Sequence, residues 1–287
     1  MNAREQGFLL LSSELGDPNR HPLTTAQLRA LTGLAAGMAP PEEERELTEE
    51  DLRAIGCDGA FARRILELLE QRELLEAYLQ TGRKRDCYPI TRVSPGYPAR
   101  LRARLGGERP GCLWAKGDIS LLQKPAMALV GSRELWPENQ AFAAEVGRQA
   151  ARQGFTLISG NARGADRVAQ ESCLDSGGTV ISVVADALEK RPLRRNVLYL
   201  AEESFDIPFS SQRALSRNRL IHCLGEKTLV AQCSLRTGGT WNGTCRNLRH
   251  RWSPVFCFDD GSPASLTLGE MGAGLIGMAA LENLHTL

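Results

Sequence analysis

Three glycine-rich stretches of this 287-residue chain carry side chains suited to holding an anion. In Val130-Gly131-Ser132-Arg133 a glycine permits a tight turn, a hydroxyl can donate, and a guanidinium can fork two bonds to a phosphate. Ser159-Gly160-Asn161-Ala162-Arg163-Gly164-Ala165-Asp166 sets glycines on either side of a cation. Backbone amides freed there, with the positive end of a following helix, make an anion site without a catalytic group. Leu235-Arg236-Thr237-Gly238-Gly239-Thr240 is again rich in donors. Any one of these is a common structural turn, and the three together point to phosphate binding. A fourth element, Ser216-Arg217-Asn218-Arg219, precedes Leu220, Ile221 and Leu224 in an apparent helix and reads either as a solvated face or as part of the same site. Arg213, Arg217 and Arg246 would extend an anion site sideways into a groove, which a polymer of phosphates requires and a single nucleotide does not.

Catalytic groups are sparse around these stretches. His21, His222, His250 and His285 cluster with no Ser or Cys at a nucleophile spacing. Asp166 is the one carboxylate inside a motif, and its expected role is structural, as a helix cap or an arginine's partner. Trp241, next to Thr240, suits either base stacking or packing, and Trp136 and Phe142 raise the same question less strongly. Cys57, Cys87, Cys112, Cys173, Cys223, Cys233, Cys245 and Cys257 are scattered without a C-x-x-C pair, so reduced, buried thiols are expected and no metal or cofactor is implied.

The elements that must position the glycine-rich stretches are short β-branched runs at 126–130, 155–159, 179–184, 228–231 and 255–258. Phe142, Val146 and Ala150 recur every four residues between the first two runs, and Ala165, Val168, Ala169 and Ser172 keep helical spacing between the next two. This alternation predicts an α/β fold, a Rossmann-like, mostly parallel sheet with helices on both faces. The glycine-rich stretches then fall at the carboxyl ends of strands, where such sheets bind ligands. The first helix is expected near Pro137, a favoured first-turn residue.

Upstream, residues 8–80 are patterned only as helices, with Leu28, Leu31 and Leu34 on one face and Ile65, Leu68, Leu69, Leu75 and Leu79 on another. Thr48 is an expected N-cap, Ile55-Gly56 a stop, and a further helix starts near Gly59. That outline suits a helix-hairpin-helix or SAM-like module, which either binds DNA or simply packs. Residues 81–98, with Gly82, Pro89, Pro95, Gly96 and Pro98, read as a connection. The expected organisation is a helical domain over 1–85, the Rossmann-like domain over 86–268 and a short tail over 269–287, Gly-rich and too brief for a winged-helix module.

The net charge of +1 hides a segregation of signs. Residues 42–51 hold seven acids against Arg45, and residues 190–251 hold twelve Lys/Arg against four acids. The second excess suits a polyanionic partner, although a solvated basic surface would show it too. No apolar run reaches the roughly 20 residues of a membrane-spanning helix, and the first residues lack a secretory pattern, so a cytoplasmic protein with no membrane partner is expected.

In order and interval, Val130-Gly131-Ser132-Arg133, Ser159-Gly160, Ala162-Arg163-Gly164 with Asp166, Arg217-Asn218-Arg219 and Thr237-Gly238-Gly239-Thr240 resemble the signature of the DprA/Smf family of DNA-processing proteins, over roughly residues 97–260. Tyr97-Pro98-x-x-Leu101 and Leu113-Trp114-x-Lys116-Gly117 are similar to the family's approach to its first strand. The resemblance implies a protein that binds single-stranded DNA in a basic pocket, forms homodimers and helps load a RecA-type recombinase on DNA during natural transformation and recombination. The family's phosphate contacts fall on Arg133 and Arg163, the latter where lysine is more usual. Arginine suits the task through its bidentate geometry. The sequence departs from the pattern at Gln170, where histidine is common, at Arg191-Pro192, where Tyr-Pro is common, and around Glu202-Glu203. The alternatives are a nucleotide-binding sensor and a phosphoribohydrolase-like enzyme on a related fold. The latter needs a carboxylate in its Gly-Gly loop, and no acid lies between Glu226 and Asp259. A binding protein that does no chemistry is therefore expected.

Overall fold

The computed structural model describes residues 1–36 and 46–287. Residues 42–45 of the acidic run lie outside the described residues. Among the described residues the chain opens with α1 (Ala3–Ser12), α2 (Thr25–Ala35), α3 (Glu49–Ala54), α4 (Gly59–Leu69) and α5 (Arg72–Lys84). Capping boxes start the first three: Asn2 with Glu5, Thr24 with Gln27, and Thr48 with Asp51. Thr48 is thus the expected cap, and Gly56 at φ +102° turns the chain out of α3.

Strands and helices then alternate: β1 (Tyr88–Thr91), α6 (Ala99–Leu105), β2 (Cys112–Lys116), β3 (Ala126–Val130), α7 (Pro137–Arg152), β4 (Thr156–Ser159), α8 (Ala165–Asp175), β5 (Thr179–Val184), β6 (Val197–Glu202), α9 (Ser211–Leu224), β7 (Lys227–Val230), α10 (Gly238–His250), β8 (Val255–Phe258), α11 (Pro263–Glu270) and β9 (Gly274–Ile276). They form one sheet in the order β1-β2-β6-β5-β4-β3-β7-β8-β9. From β6 to β9 every pairing is parallel, and β2 joins β6, and β1 joins β2, antiparallel. This is the expected α/β sheet with helices on both faces.

Strand pleating divides the core. Along β3, Met127 and Leu129 face α7 and α8 with Phe142, Val146 and Ala169, whereas Ala128 and Val130 face α9 and α10 with Leu220, Ile221 and Trp241. Phe142 is fully buried and stacks on Phe258 at 4.5 Å, so truncating it to alanine would cost about 3–5 kcal/mol.

Three expectations change. The stretch 81–98 is no plain connection, because it ends α5 and supplies β1. Pro89 sits in that edge strand, where a missing N–H costs no ladder bond. The stretch 269–287 is no tail. β9 pairs with β8, Leu281 and Leu284 are buried in the α7/α8 core, and Gln153 bonds the Leu281 carbonyl at 2.9 Å and the Leu284 N–H at 2.7 Å. A three-residue strand followed by a six-residue 3-10 helix is too short to leave a periodic trace. The core also runs continuously across residue 85: Tyr78 of α5 packs within 5.4 Å of Trp114 and 4.7 Å of Phe205, and α1 contributes Leu9 and Leu10 to the same cluster.

Candidate nucleic-acid interface

The sheet grows in two directions from β3, with β4, β5 and β6 on one side and β7, β8 and β9 on the other. Loops leaving the carboxyl ends of β3, β4 and β7 therefore diverge around a crevice, the usual ligand position in open α/β sheets. All three glycine-rich stretches are there.

Glycines let these loops interlock. A Cβ on Gly164, at φ +87°, would lie 2.3 Å from the Ser132 carbonyl oxygen, and one on Gly131 would lie 2.4 Å from the Ala165 Cβ. The Ala165 N–H donates to the Ser132 carbonyl at 3.1 Å, and the Thr240 hydroxyl donates to the Gly131 carbonyl at 2.9 Å. Any side chain at either glycine would force the first two loops apart.

Part of the expected anion site is filled from within. Asp166, in the first turn of α8, folds back so that its Oδ2 accepts the N–H groups of Gly160 and Ala162, both at 3.1 Å. The amides expected to meet phosphate are thereby occupied, and Asp166 is a loop clamp rather than a ligand contact. The Ser132 hydroxyl donates to the Gln232 carbonyl at 3.2 Å. Ser159 is fully buried and accepts from Gln170 at 2.5 Å, which gives the departure at Gln170 a packing role. Ser132, Ser159 and Thr240 thus direct their hydroxyls inward, because each sits where strand hands over to helix and the backbone needs partners.

Arg217 spans clamp and crevice. Its guanidinium crosses directly over Gly160, where a Cβ would come within 1.7 Å of Nη1, and Nη1 donates to the Val183 carbonyl at 2.7 Å. Its Nε is buried without a partner among the described residues. Burial pushes the Arg217 pKa down, and Asp166 and Asp186 oppose the shift. Burial pushes the Asp166 pKa up, opposed by Arg217 and the two amides. A buried cation that keeps an unpaired N–H is drawn toward any anion entering the crevice.

What remains open forms a groove of two joined hollows. The larger, about 820 Å³, is lined by Val130, Arg133, Arg217, Asn218, His222 and Gly239 among others. The smaller, about 420 Å³, is lined by Arg133, Arg163, Asp186, Arg191, Phe209 and Arg217. Arg133 is exposed between them. Arg163 is also exposed and held by Glu134 at 3.0 Å. Gly238 and Gly239 open α10 onto the larger hollow with no side-chain cap, so first-turn N–H groups and the positive helix end face the cavity. Gly131, Thr237 and Thr240 line the same hollow.

Three expected contacts lie elsewhere. Arg219 donates to Glu202 and, at 3.0 Å, to the Glu108 carbonyl. Two residues beyond Arg217 is about 200° round a helix, so the two guanidiniums leave α9 in opposite directions. Arg213 is spent on four carbonyls, those of Ala185, Ile207, Pro208 and Glu202. Arg246 lies over the Trp252 ring at 5.7 Å and does not line the groove. Trp241, the more favoured stacking candidate of the sequence, is 8% exposed and packs in the core; Trp136, 55% exposed, lines the larger hollow. Phe209 and Leu215 line it too and carry no sequence signal beyond being apolar outside the strand and helix periodicities. Arg191, noted only as a departure, lines the smaller hollow and pairs with Asp186.

The family described as DNA recombination-mediator protein A matches residues 89–250. Protein Smf of Escherichia coli (strain K12) is 29% identical over 160 residues, covering 52% of this chain and 42% of that protein, so the chain spans less than half of that relative's length. DNA processing protein A of Streptococcus pneumoniae has a solved structure with a TM-score of 0.72 at 23% identity, covering 96% of this chain and 95% of that one. The Helicobacter pylori DNA processing protein A, solved to describe its single-stranded DNA binding mode, gives 0.57 at 23% identity, covering 69% of this chain and 93% of that one. With more than half of the residues matched by one family and the same architecture in its solved members, the chain belongs to the DNA recombination-mediator protein A family, the DprA/Smf proteins.

Proposed function

We propose that the groove grips single-stranded DNA by its phosphates and does no chemistry on it. One observation carries the reading: Arg133, Arg163 and Arg217, from three different elements, line one hollow that continues past Arg191 in one direction and onto the α10 N-terminus in the other. Such a row fits a chain of anions better than one anion. Carboxylates on the groove are engaged rather than poised for acid or base work: Asp166 with two amides, Glu134 with Arg163, and Asp186 with Arg191. The Helicobacter pylori relative is described as binding single-stranded DNA, in keeping with this assignment.

Gly131, Arg133, Gly160, Arg163, Gly164, Arg217, Asn218, Thr237, Gly238, Gly239 and Thr240 make up the proposed site, the glycines shaping it and the arginines binding. Homodimer formation, transfer of the strand to a recombinase and residence in the cytoplasm belong to the same proposal. No helix among the described residues is long and apolar enough to cross a membrane. The test is fluorescence anisotropy with oligonucleotides of increasing length. Affinity should climb with length and fall steeply with salt, whereas a nucleotide sensor would saturate with a mononucleotide.

A further inference from the structure

The segment joining β6 to α9 is fastened at both ends. At its start Glu203 takes φ +75°, a conformation unfavourable for any residue but glycine, and the Trp114 Nε1–H holds its carbonyl at 3.2 Å. At its end Arg213 holds the carbonyls of Ile207 at 2.8 Å and Pro208 at 3.1 Å.

Between these ends the contacts run to α5, a helix outside the sheet. The Tyr78 ring packs on Phe205, and its hydroxyl donates to Asp206 Oδ1 at 3.0 Å and meets the Ser204 hydroxyl, which donates to the same oxygen. Tyr78 is buried, and burial pushes its pKa up, so the hydroxyl keeps its proton and remains a donor. Gly16, between α1 and α2, closes over this contact. At φ +79°, a Cβ there would lie 2.9 Å from the Tyr78 ring and 3.3 Å from Asp206 Oδ2.

Two routes lead from this anchor to the groove. Phe209, three residues beyond Asp206, is exposed and lines both hollows. The Phe205 carbonyl accepts the Glu189 N–H at 3.0 Å, and two residues on, Arg191 lines the smaller hollow. Tyr78 itself lines neither hollow.

We propose that Tyr78 is a positioning residue for the DNA groove, through which the N-terminal helices set the spacing of Arg191 and Phe209 within the smaller hollow. This rests on the phosphate-grip reading and gives α1 and α5 a part in it: they hold the wall of a site that they do not enter.

The experiment measures affinity and dissociation rate for a single-stranded oligonucleotide by anisotropy, together with hydrogen exchange of the Glu189 amide in the free chain. Tyr78→Phe keeps the ring packing and loses only the hydroxyl. It should bind about fivefold more weakly through faster dissociation, at an unchanged salt slope because no phosphate contact is removed, and the Glu189 amide should exchange about tenfold faster. Ser204→Ala, also neutral in charge, should shift both readouts the same way, so it decides the matter if Tyr78→Phe does not fold. Ile65→Val, in the separate core of the N-terminal helices, should lower the unfolding midpoint and leave affinity as it was. A contact serving stability alone would move the midpoint of Tyr78→Phe without touching affinity or the Glu189 amide. That result, or an equal loss of affinity in Ile65→Val, overturns the positioning role and leaves the phosphate grip standing. Failure of the intact chain to bind the oligonucleotide removes both readings.

Discussion

The rim of the groove and the packing behind α9 are built from the same residue type to opposite ends. At the rim, Arg133 and Arg163 are exposed, and Arg163 has one weak partner, the equally exposed Glu134. Behind α9, Arg213 and Arg219 are anchored to carbonyls and to Glu202, and Arg104 of α6 donates to the carbonyls of Cys223 and Glu226 at the end of that helix. Charge counted along the sequence treats all of these alike. The difference lies in whether a backbone oxygen is within reach: where strand and helix ends leave carbonyls unpaired, arginine becomes a fastener, and where loops have already paired their own groups, it is left for a ligand. Arg217 belongs to both regions, which makes it the position where the two roles separate least.

The largest effect is therefore expected at Arg217. Arg217→Ala strips Val183 of a donor and Asp166 of its cation, and should lower stability by about 3 kcal/mol in urea unfolding while cutting DNA affinity more than tenfold. At the rim the two readouts should come apart. Arg133→Ala and Arg163→Ala should each weaken binding about five- to tenfold for all sequences and reduce the salt slope by roughly 0.7, with unfolding midpoints unmoved. Arg219→Ala should do the reverse. It leaves Glu202 buried without its cation, at a cost of about 2 kcal/mol, and leaves oligonucleotide affinity as it was.

The buried side can also be probed with pH. His222 stays neutral in the folded chain down to about pH 4, whereas an unfolded histidine takes up its proton near 6.5. Below 6.5 the unfolded state binds the extra proton, so this contribution is complete above that pH and erodes as pH falls toward 4. Between pH 8 and pH 5 it should remove about 2 kcal/mol, and His222→Gln should flatten that part of the profile. The smallest effect is expected from Glu134→Gln, which frees Arg163 and should tighten binding two- to threefold at low salt.

Five strands of the parallel part of the sheet, from 126–130 to 255–258, were legible because they are buried on both faces and read as continuous apolar runs, whereas β6, equally buried and parallel to β5, was not among the runs read from the sequence. β1 and β9 were not, being short edge strands containing a proline or following a glycine turn. The glycine-rich loops were legible as a place. Their internal economy was not, since whether Asp166 or a phosphate takes the Gly160 and Ala162 amides depends on how far α8 lets the carboxylate fold back. The division between Arg217 and Arg219 was within reach, because two steps along a helix imply opposite faces. That between Trp136 and Trp241 was harder, as it turns on which tryptophan lies under α9, a contact between elements far apart in sequence.

The central claim is that a row of phosphates, rather than a single one, occupies the rim. It is tested most directly by the salt dependence of affinity for a long single-stranded oligonucleotide, measured for the intact chain and for Arg133→Ala/Arg163→Ala together. The account predicts that the double substitution lowers the slope of log K against log salt by about 1.4 and leaves the unfolding midpoint where it was. An unchanged slope, or equal affinity for a mononucleotide and a long strand, would contradict it.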